Sequence, residues 1–366
     1  MMKERLSNIE LLRIVSILLI VVMHMVGCVL GTSNEWNRLV LTGINAIGNM
    51  GVTVFMLISG YFGIHFRWSK LLILWLTALF YSLIAFTADF VSGTPQTTMS
   101  IFVALTPVTS RLWWFLSCYV VIFCLSPILN RLVEVLTRRE MLFLLGILVF
   151  FFILSPTFLM HTLTGDVEGK GLANLLTAYL VGQYVSHHGF PEWLQKHCGT
   201  LLLISFAVAF LGSFVVGCIQ PSATIIFCKD NNLLMAGGAL CALCWTLQHP
   251  FNSRSINQLG SFAFPLYLSN WATIKLIQPY YLDQVNNLRI WGLLGGGFVV
   301  VLVIVFLLEF VRRLLLNSFL LPLNHQMLVW LRQQKGITLD FGIVDEPTSK
   351  TVPVDENRSD TAKGST

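Results

Sequence analysis

The chain has 366 residues, of which 55% are hydrophobic and only 11% are charged, and its mean hydropathy is +0.74. Soluble domains carry roughly 25% charged residues, so this composition excludes a soluble enzyme, and the small formal net charge of +5 gives no reason to expect a nucleic-acid partner. Apolar runs of about 20 residues, each long enough to cross a bilayer, recur along the chain. The composition therefore predicts an all-α integral membrane protein.

The first apolar run, residues 9–30, contains two ionisable side chains, Arg13 and His24. It is too long for the apolar region of a signal peptide, and no small-residue cleavage site follows it. We therefore expect an uncleaved first transmembrane helix. Eleven positions correspond to about three helical turns, so both side chains fall on one face, about 16 Å apart along the axis. Glu10, three residues before Arg13, is placed to pair with it.

Two interpretations of Arg13 and His24 remain open at this stage. Arg13 by itself fits a cytoplasmic anchor that extends to the headgroups, and a lone histidine in a helix is often structural. Ionisable groups within a span are costly, however, and usually mark a functional site. Their alignment on one face favours the functional interpretation.

Hydropathy predicts about ten spans, and lysine and arginine are concentrated in the segments that would be cytoplasmic if both termini are inside. A polar stretch at 228–232 either forms a loop or breaks the eighth span. We assign residues 1–334 to the membrane domain and predict that residues 335–366, which are polar and low in aromatic residues, form a disordered cytoplasmic tail. The predicted spans are 9–30, 40–63, 69–91, 112–133, 141–160, 171–187, 199–219, 224–247, 260–281 and 290–316.

Further polar residues occur in later spans. Ser59 lies among glycines in the second span, where small residues favour close helix packing. Arg111, just before the fourth span, is either an interfacial anchor or a ligand for an anionic acceptor. In the ninth span, Pro265 is expected to kink the helix beside Tyr267 and Asn270.

Two other groups of residues predict no site. Glu309 precedes Arg312 and Arg313 by three and four residues, which predicts an ion pair at the cytoplasmic edge. The pair Cys241 and Cys244 lies in an apolar run without partner ligands, and we predict no metal site and no permanently bound cofactor.

The order and spacing of these elements resemble those of the membrane-bound acyltransferase-3 family. An arginine and a histidine separated by ten residues in the first helix, with an acidic residue before the arginine, are typical of that family. Its later elements resemble "LISGY", "LWWFL" and "YLSN" in this sequence, although many members carry histidine where this chain has asparagine. Asparagine forms hydrogen bonds but does not shuttle protons near neutral pH. The matching residues are Glu10, Arg13, His24, Ser59, Gly60, Tyr61, Leu112, Phe115, Leu116, Tyr267, Leu268, Ser269 and Asn270.

The resemblance implies an O-acyltransferase of the bacterial cytoplasmic membrane. It would move an acyl group, usually acetyl, from cytosolic acyl-CoA to a hydroxyl of a surface polysaccharide or lipid-linked glycan. His24 would act as a general base or accept the acyl group itself, and Arg13, paired with Glu10, would bind a phosphate of the donor. The expected substrate-binding residues are Arg111, Ser59, Tyr267 and Asn270.

The sequence is also compatible with two hypotheses in which the protein catalyses no reaction. A transporter of a glycan-related intermediate would use intramembrane charges and a proline-broken span, but no inverted repeat is visible. A purely structural subunit would leave Arg13 and His24 unexplained. The acyltransferase hypothesis accounts for the most residues.

Overall fold

The computed structural model describes residues 6–30, 35–159 and 167–315, and every regular element in these ranges is helical. A π-helical segment, Phe150–Leu159, continues the seventh α-helix, and three 3₁₀ segments cover Val167–Gly169, Pro221–Cys228 and Gly260–Phe262. The predicted tail, 335–366, lies outside the described residues. The α-helices are α1 Ser7–Gly27, α2 Glu35–Gly48, α3 Met50–Phe62, α4 Trp68–Val91, α5 Thr98–Leu105, α6 Trp114–Val135, α7 Arg138–Val149, α8 Leu172–His188, α9 Glu192–Ile219, α10 Leu233–Gln248, α11 Arg254–Leu259, α12 Ala263–Ile277, α13 Pro279–Leu282 and α14 Arg289–Leu315.

Seven helical stretches in the described ranges are long and apolar enough to cross a membrane. This confirms the all-α membrane class. Helices α8, α10 and α12 have 17, 16 and 15 residues, which is short for a hydrocarbon core that needs about 20 residues. The count of ten and the cytoplasmic position of both termini therefore stay predictions. The seven stretches are Ser7–Gly27, Glu35–Phe62, Trp68–Val91, Trp114–Val135, Arg138–Leu159, Glu192–Ile219 and Arg289–Leu315.

Several predicted spans begin at different residues in the structure, and the eighth and ninth also differ in local geometry. The predicted eighth span, 224–247, opens with a 3₁₀ segment, and α10 begins only at Leu233, so the polar residues 229–232 form a break. In the ninth span, Pro265 lies in the first turn of α12 and not in the middle of a helix, because α12 begins at Ala263 after a 3₁₀ turn. An N–H in the first turn has no intrahelical partner, so its loss there removes no hydrogen bond.

Helices α3 and α8 cross at two glycines. A Cβ atom on Gly60 would collide with the carbonyl oxygen of Tyr179, and one on Gly182 would collide with that of Leu57. Only glycine permits backbones to approach this closely within a membrane domain. The contact places α3, which carries Ser59, in the interior of the bundle.

The start of α1 is bound to α10 and α11 by side-chain hydrogen bonds. Ser7 Oγ donates to Asn257 Oδ1 at 2.9 Å, and Asn8 Nδ2 donates to the carbonyl oxygen of Thr246 at 2.8 Å. Both side chains are buried. These contacts fix the position of α1, the helix that carries Arg13 and His24, against the C-terminal half of the chain.

Candidate active site

Helix α1 runs without interruption from Ser7 to Gly27 and carries three of the predicted site residues. Arg13 Nη1 donates to Glu10 Oε1 at 2.9 Å, which confirms the predicted pair. The Glu10 side chain is 7% exposed and that of Arg13 is 33% exposed. The carboxylate therefore holds a guanidinium that still reaches the surface.

His24, three turns further along α1, meets Asn270 of α12. The two atoms in contact, His24 Nδ1 and Asn270 Oδ1, are 2.6 Å apart. The edge of the neighbouring Trp271 ring packs against the imidazole, with ring centroids 5.6 Å apart at 82°. Two residues that are 246 positions apart in the sequence thus form one unit.

The hydrogen bonds of Asn270 determine which nitrogen of His24 carries the proton. Asn270 Nδ2 donates to the carbonyl oxygens of Leu266 and Tyr267, both at 2.8 Å. A flipped amide would instead place its oxygen against two carbonyl oxygens, so Oδ1 faces His24 and acts as the acceptor. Nδ1 must therefore carry the hydrogen, and in the neutral imidazole the lone pair lies on Nε2.

A cavity of about 300 Å³ opens beside Arg13 between α1, α3, α4, α6 and the start of α12. Its wall is mostly apolar and aromatic, with a few polar side chains, which is typical of a small-molecule site. The described residues that line it are Arg13, Ile20, Val52, Phe55, Ser59, Leu74, Phe115, Leu116, Tyr119, Gly260, Ser261, Ala263, Phe264 and Tyr267.

The cavity leads from Arg13 towards the His24–Asn270 pair. Its lining includes Ile20, one helical turn before His24, and Tyr267, one turn before Asn270. Neither His24 nor Asn270 is among the described lining residues. The wall formed by α1 and α12 therefore continues for about one turn, roughly 5 Å, beyond the cavity to reach the pair.

Ser59 and Tyr267, two predicted substrate-binding residues, both line this cavity. Ser59 Oγ donates to the carbonyl oxygen of Phe55 at 2.8 Å and lies beside the Tyr119 hydroxyl. The Tyr267 ring packs edge-on against Phe115, with centroids 5.4 Å apart. The structure thus brings Arg13, Ser59 and Tyr267 to one cavity.

Arg111, a further predicted site residue, lies neither in the lining of this cavity nor in the His24–Asn270 contact. It is exposed, has a left-handed backbone conformation with φ 59°, and donates from Nη2 to the carbonyl oxygen of Lys170 at 2.8 Å. Positive φ is uncommon for a residue other than glycine. The loop before α6 therefore fixes Arg111 to the segment before α8 and away from the cavity of Arg13.

The comparison with known families agrees with this geometry. Residues 6–309 match a family model described as an acyltransferase domain. The chain belongs to the acyltransferase-3 family. It is accordingly a membrane acyltransferase. Comparisons with curated proteins and with solved structures gave no significant match.

Sequence reasoning about this acyltransferase missed several residues of the site. Tyr119 and Ser261 line the cavity, and Gly260 allows the turn before α12 to approach the Glu10 carboxylate, because a Cβ atom there would collide with it. Trp271 packs on His24. The position of Tyr119, one helical turn after Phe115, was a signal for a shared face of α6; the others carried none.

Proposed function

We propose that this acyltransferase moves an acyl group, most simply acetyl, from cytosolic acyl-CoA to a hydroxyl of a surface polysaccharide or lipid-linked glycan. We place it in the bacterial cytoplasmic membrane. The observation that carries the proposal is the His24–Asn270 contact, in which the Asn270 amide holds the imidazole as the tautomer with its lone pair on Nε2. Nε2 is then the basic atom available to the reacting groups.

The donor would enter at Arg13. A guanidinium is suited to the phosphates of CoA, and the apolar cavity of about 300 Å³ fits the slender pantetheine arm. Arg13 and His24 are about 16 Å apart along α1, a distance that an extended pantetheine arm spans. Ser59 and Tyr267, in the wall between them, would contact the arm.

Two routes use Nε2 of His24. In the first, Nε2 takes the proton of the acceptor hydroxyl while the hydroxyl oxygen attacks the thioester carbonyl. The C–S bond then breaks, and the CoA sulfur leaves with that proton. In the second, Nε2 attacks the thioester carbonyl itself and the thiolate leaves. The oxygen of the acceptor hydroxyl then displaces the acyl group from Nε2, and the hydroxyl proton passes to the thiolate. In both routes the Nδ1 hydrogen bond to Asn270 orients the ring.

The acceptor would approach from the end of the bundle where Arg111 and Lys170 meet. If both termini are cytoplasmic, the ten predicted spans place both cations on the opposite side of the membrane, and Arg111 donates to the Lys170 backbone. Lys170 also forms an ion pair with Glu168 at 2.7 Å. This arrangement supports a role for Arg111 in binding an anionic group of the glycan. No observation favours the transporter hypothesis over acyl transfer.

Replacement of His24 by alanine is expected to abolish transfer. Membranes that contain the protein, its His24→Ala variant or neither would receive acetyl-labelled acetyl-CoA on the cytoplasmic face, and base-labile label would be counted in extracted glycan and glycolipid. A general base contributes about 10²- to 10⁴-fold to a rate, so residual label should fall by at least that factor.

The matched control is His187→Ala, which removes an exposed histidine at the end of α8 and should leave the label unchanged. Normal transfer by a folded His24→Ala protein would contradict the assignment. Acid quenching without acceptor, followed by mass spectrometry of the peptide that contains His24, distinguishes the two routes, since only the second leaves the acyl group on the imidazole.

A further inference from the structure

A buried carboxylate on α14 organises two arginines at the cavity end of the bundle. Glu309 is 0% exposed, and its Oε2 accepts from Tyr81 Oη at 2.8 Å. Arg312 donates to it from Nε and Nη2 at 2.6 and 2.7 Å, and Arg313 donates from Nε at 2.6 Å. The predicted ion pair is confirmed, but it is part of a larger network.

The two arginines differ in what else they contact. Arg312 is 13% exposed and donates to Thr77 Oγ1 at 3.2 Å, so it faces α4 inside the bundle. Arg313 is 42% exposed; its guanidinium lies 4.6 Å from the centroid of the Phe262 ring, and its Nη2 donates to Ser261 Oγ at 2.8 Å. Arg313 is thus held firmly while a large part of it stays accessible.

Ser261 connects Arg313 to the cavity of Arg13. Gly260 and Ser261 both line that cavity. Gly260 packs against the Glu10 carboxylate, the partner of Arg13, while Ser261 accepts from Arg313. The same short turn therefore lies between two partly exposed guanidiniums, and Glu10 and Glu309 hold them in place. Three arginines against two glutamates leave a net positive charge here.

We propose that Arg313 binds the 3′-phosphate of the acyl-CoA donor, while Arg13, which lines the cavity directly, binds the pyrophosphate. This inference rests on the proposed function. The adenosine end of CoA is the last part to enter a cavity whose inner end points to His24, so its 3′-phosphate stays near the rim. A guanidinium already fixed by Glu309, Ser261 and the Phe262 ring loses little conformational freedom on binding. A lipid headgroup offers the same phosphate chemistry, and the test separates the two.

The test is the binding of CoA and of 3′-dephospho-CoA to the purified full chain in non-ionic detergent, measured by calorimetry without any acceptor. The unsubstituted protein should bind CoA more tightly than dephospho-CoA. Arg313→Gln should weaken CoA binding by about tenfold, the effect of one charge-assisted hydrogen bond, and should leave dephospho-CoA binding unchanged. Arg139→Gln, which removes an exposed arginine at the start of α7, should alter neither.

Equal weakening of both ligands, or no change, would overturn the assignment of Arg313. The same measurement in nanodiscs of phosphatidylcholine with and without phosphatidylglycerol tests the lipid source. If the unsubstituted protein binds CoA and dephospho-CoA equally, and phosphatidylglycerol changes its CoA binding only when Arg313 is present, the residue would be assigned to lipid instead. If Arg313→Gln does not fold, Ser261→Ala, which removes only the tether, should reduce the discrimination in the same direction. Absence of CoA binding by the unsubstituted protein would contradict the proposed function itself.

Discussion

Single side chains decide the chemistry of this site, and Asn270 is the clearest case. It is 0% exposed; its Nδ2 donates to two backbone carbonyls, and its Oδ1 faces His24. These contacts favour a positioning role over the direct substrate contact that the sequence suggested. Asparagine orients an imidazole through the same hydrogen bond that a carboxylate would accept, but without its charge.

We expect Asn270→Leu, which has the same branched shape but no acceptor, to lower kcat by roughly 10- to 100-fold with little change in the KM for acyl-CoA, because a lost hydrogen bond of about 1–3 kcal/mol acts on the reacting ring. The measurement is steady-state transfer at several donor concentrations, with thermal melting to verify folding. A kcat for Asn270→Leu equal to that of the unsubstituted enzyme would rule out the positioning role.

Contacts between helices position the part of the site that we propose binds the acyl-CoA donor. The 3₁₀ turn Gly260–Phe262 touches α1 through Gly260 and α14 through Ser261 and Phe262. Glycine is required at 260 because its Cα lies against a carboxylate that is itself bound to Arg13. A larger residue there would displace Glu10 and with it the guanidinium.

Gly260→Ala is therefore expected to raise the KM for acyl-CoA severalfold, in the same direction as Arg13→Ala, and to destabilise the fold by about 1–3 kcal/mol through overpacking. Transfer kinetics and melting temperature would be measured together. Gly237→Ala in α10 is the control, since a Cβ there meets nothing within 4 Å. An unchanged donor KM in Gly260→Ala would show that the turn does not position Arg13.

At the scale of the whole molecule, the predicted orientation assigns several charged residues to opposite sides of the membrane. With both termini inside, the ten predicted spans place Arg111 and Lys170 outside, where Arg111 donates to the Lys170 backbone. They place Arg254 and Arg313 inside, where Arg313 donates to Ser261 in the turn after α11. The two ends of α8 have different partners. Just before its start, the Lys170 backbone accepts from Arg111; near its end, the Tyr184 hydroxyl accepts from Arg138. This geometry supports a membrane crossing by α8 despite its 17 residues.

Ten crossings and a cytoplasmic C-terminus predict that green fluorescent protein fused after Leu315 will fluoresce, whereas alkaline phosphatase fused there will be inactive. Alkaline phosphatase fused within 92–97, the segment after α4, should be active, because the predicted topology places it outside. With only the seven longest stretches crossing, the termini would lie on opposite sides. An active phosphatase after Leu315 would contradict the ten-span topology.

The sequence by itself determined the membrane class, the helix that carries Arg13 and His24 on one face, and the family resemblance, because these depend on composition and on local spacing. It also placed Ser59 and Tyr267 among the candidates. Only the tertiary structure decided that His24 meets Asn270, that Gly260 approaches Glu10 and that Arg313 reaches Ser261. These contacts join residues from distant parts of the chain. Local periodicity fixes which face a side chain occupies, whereas the partner on the facing helix depends on how the whole bundle packs.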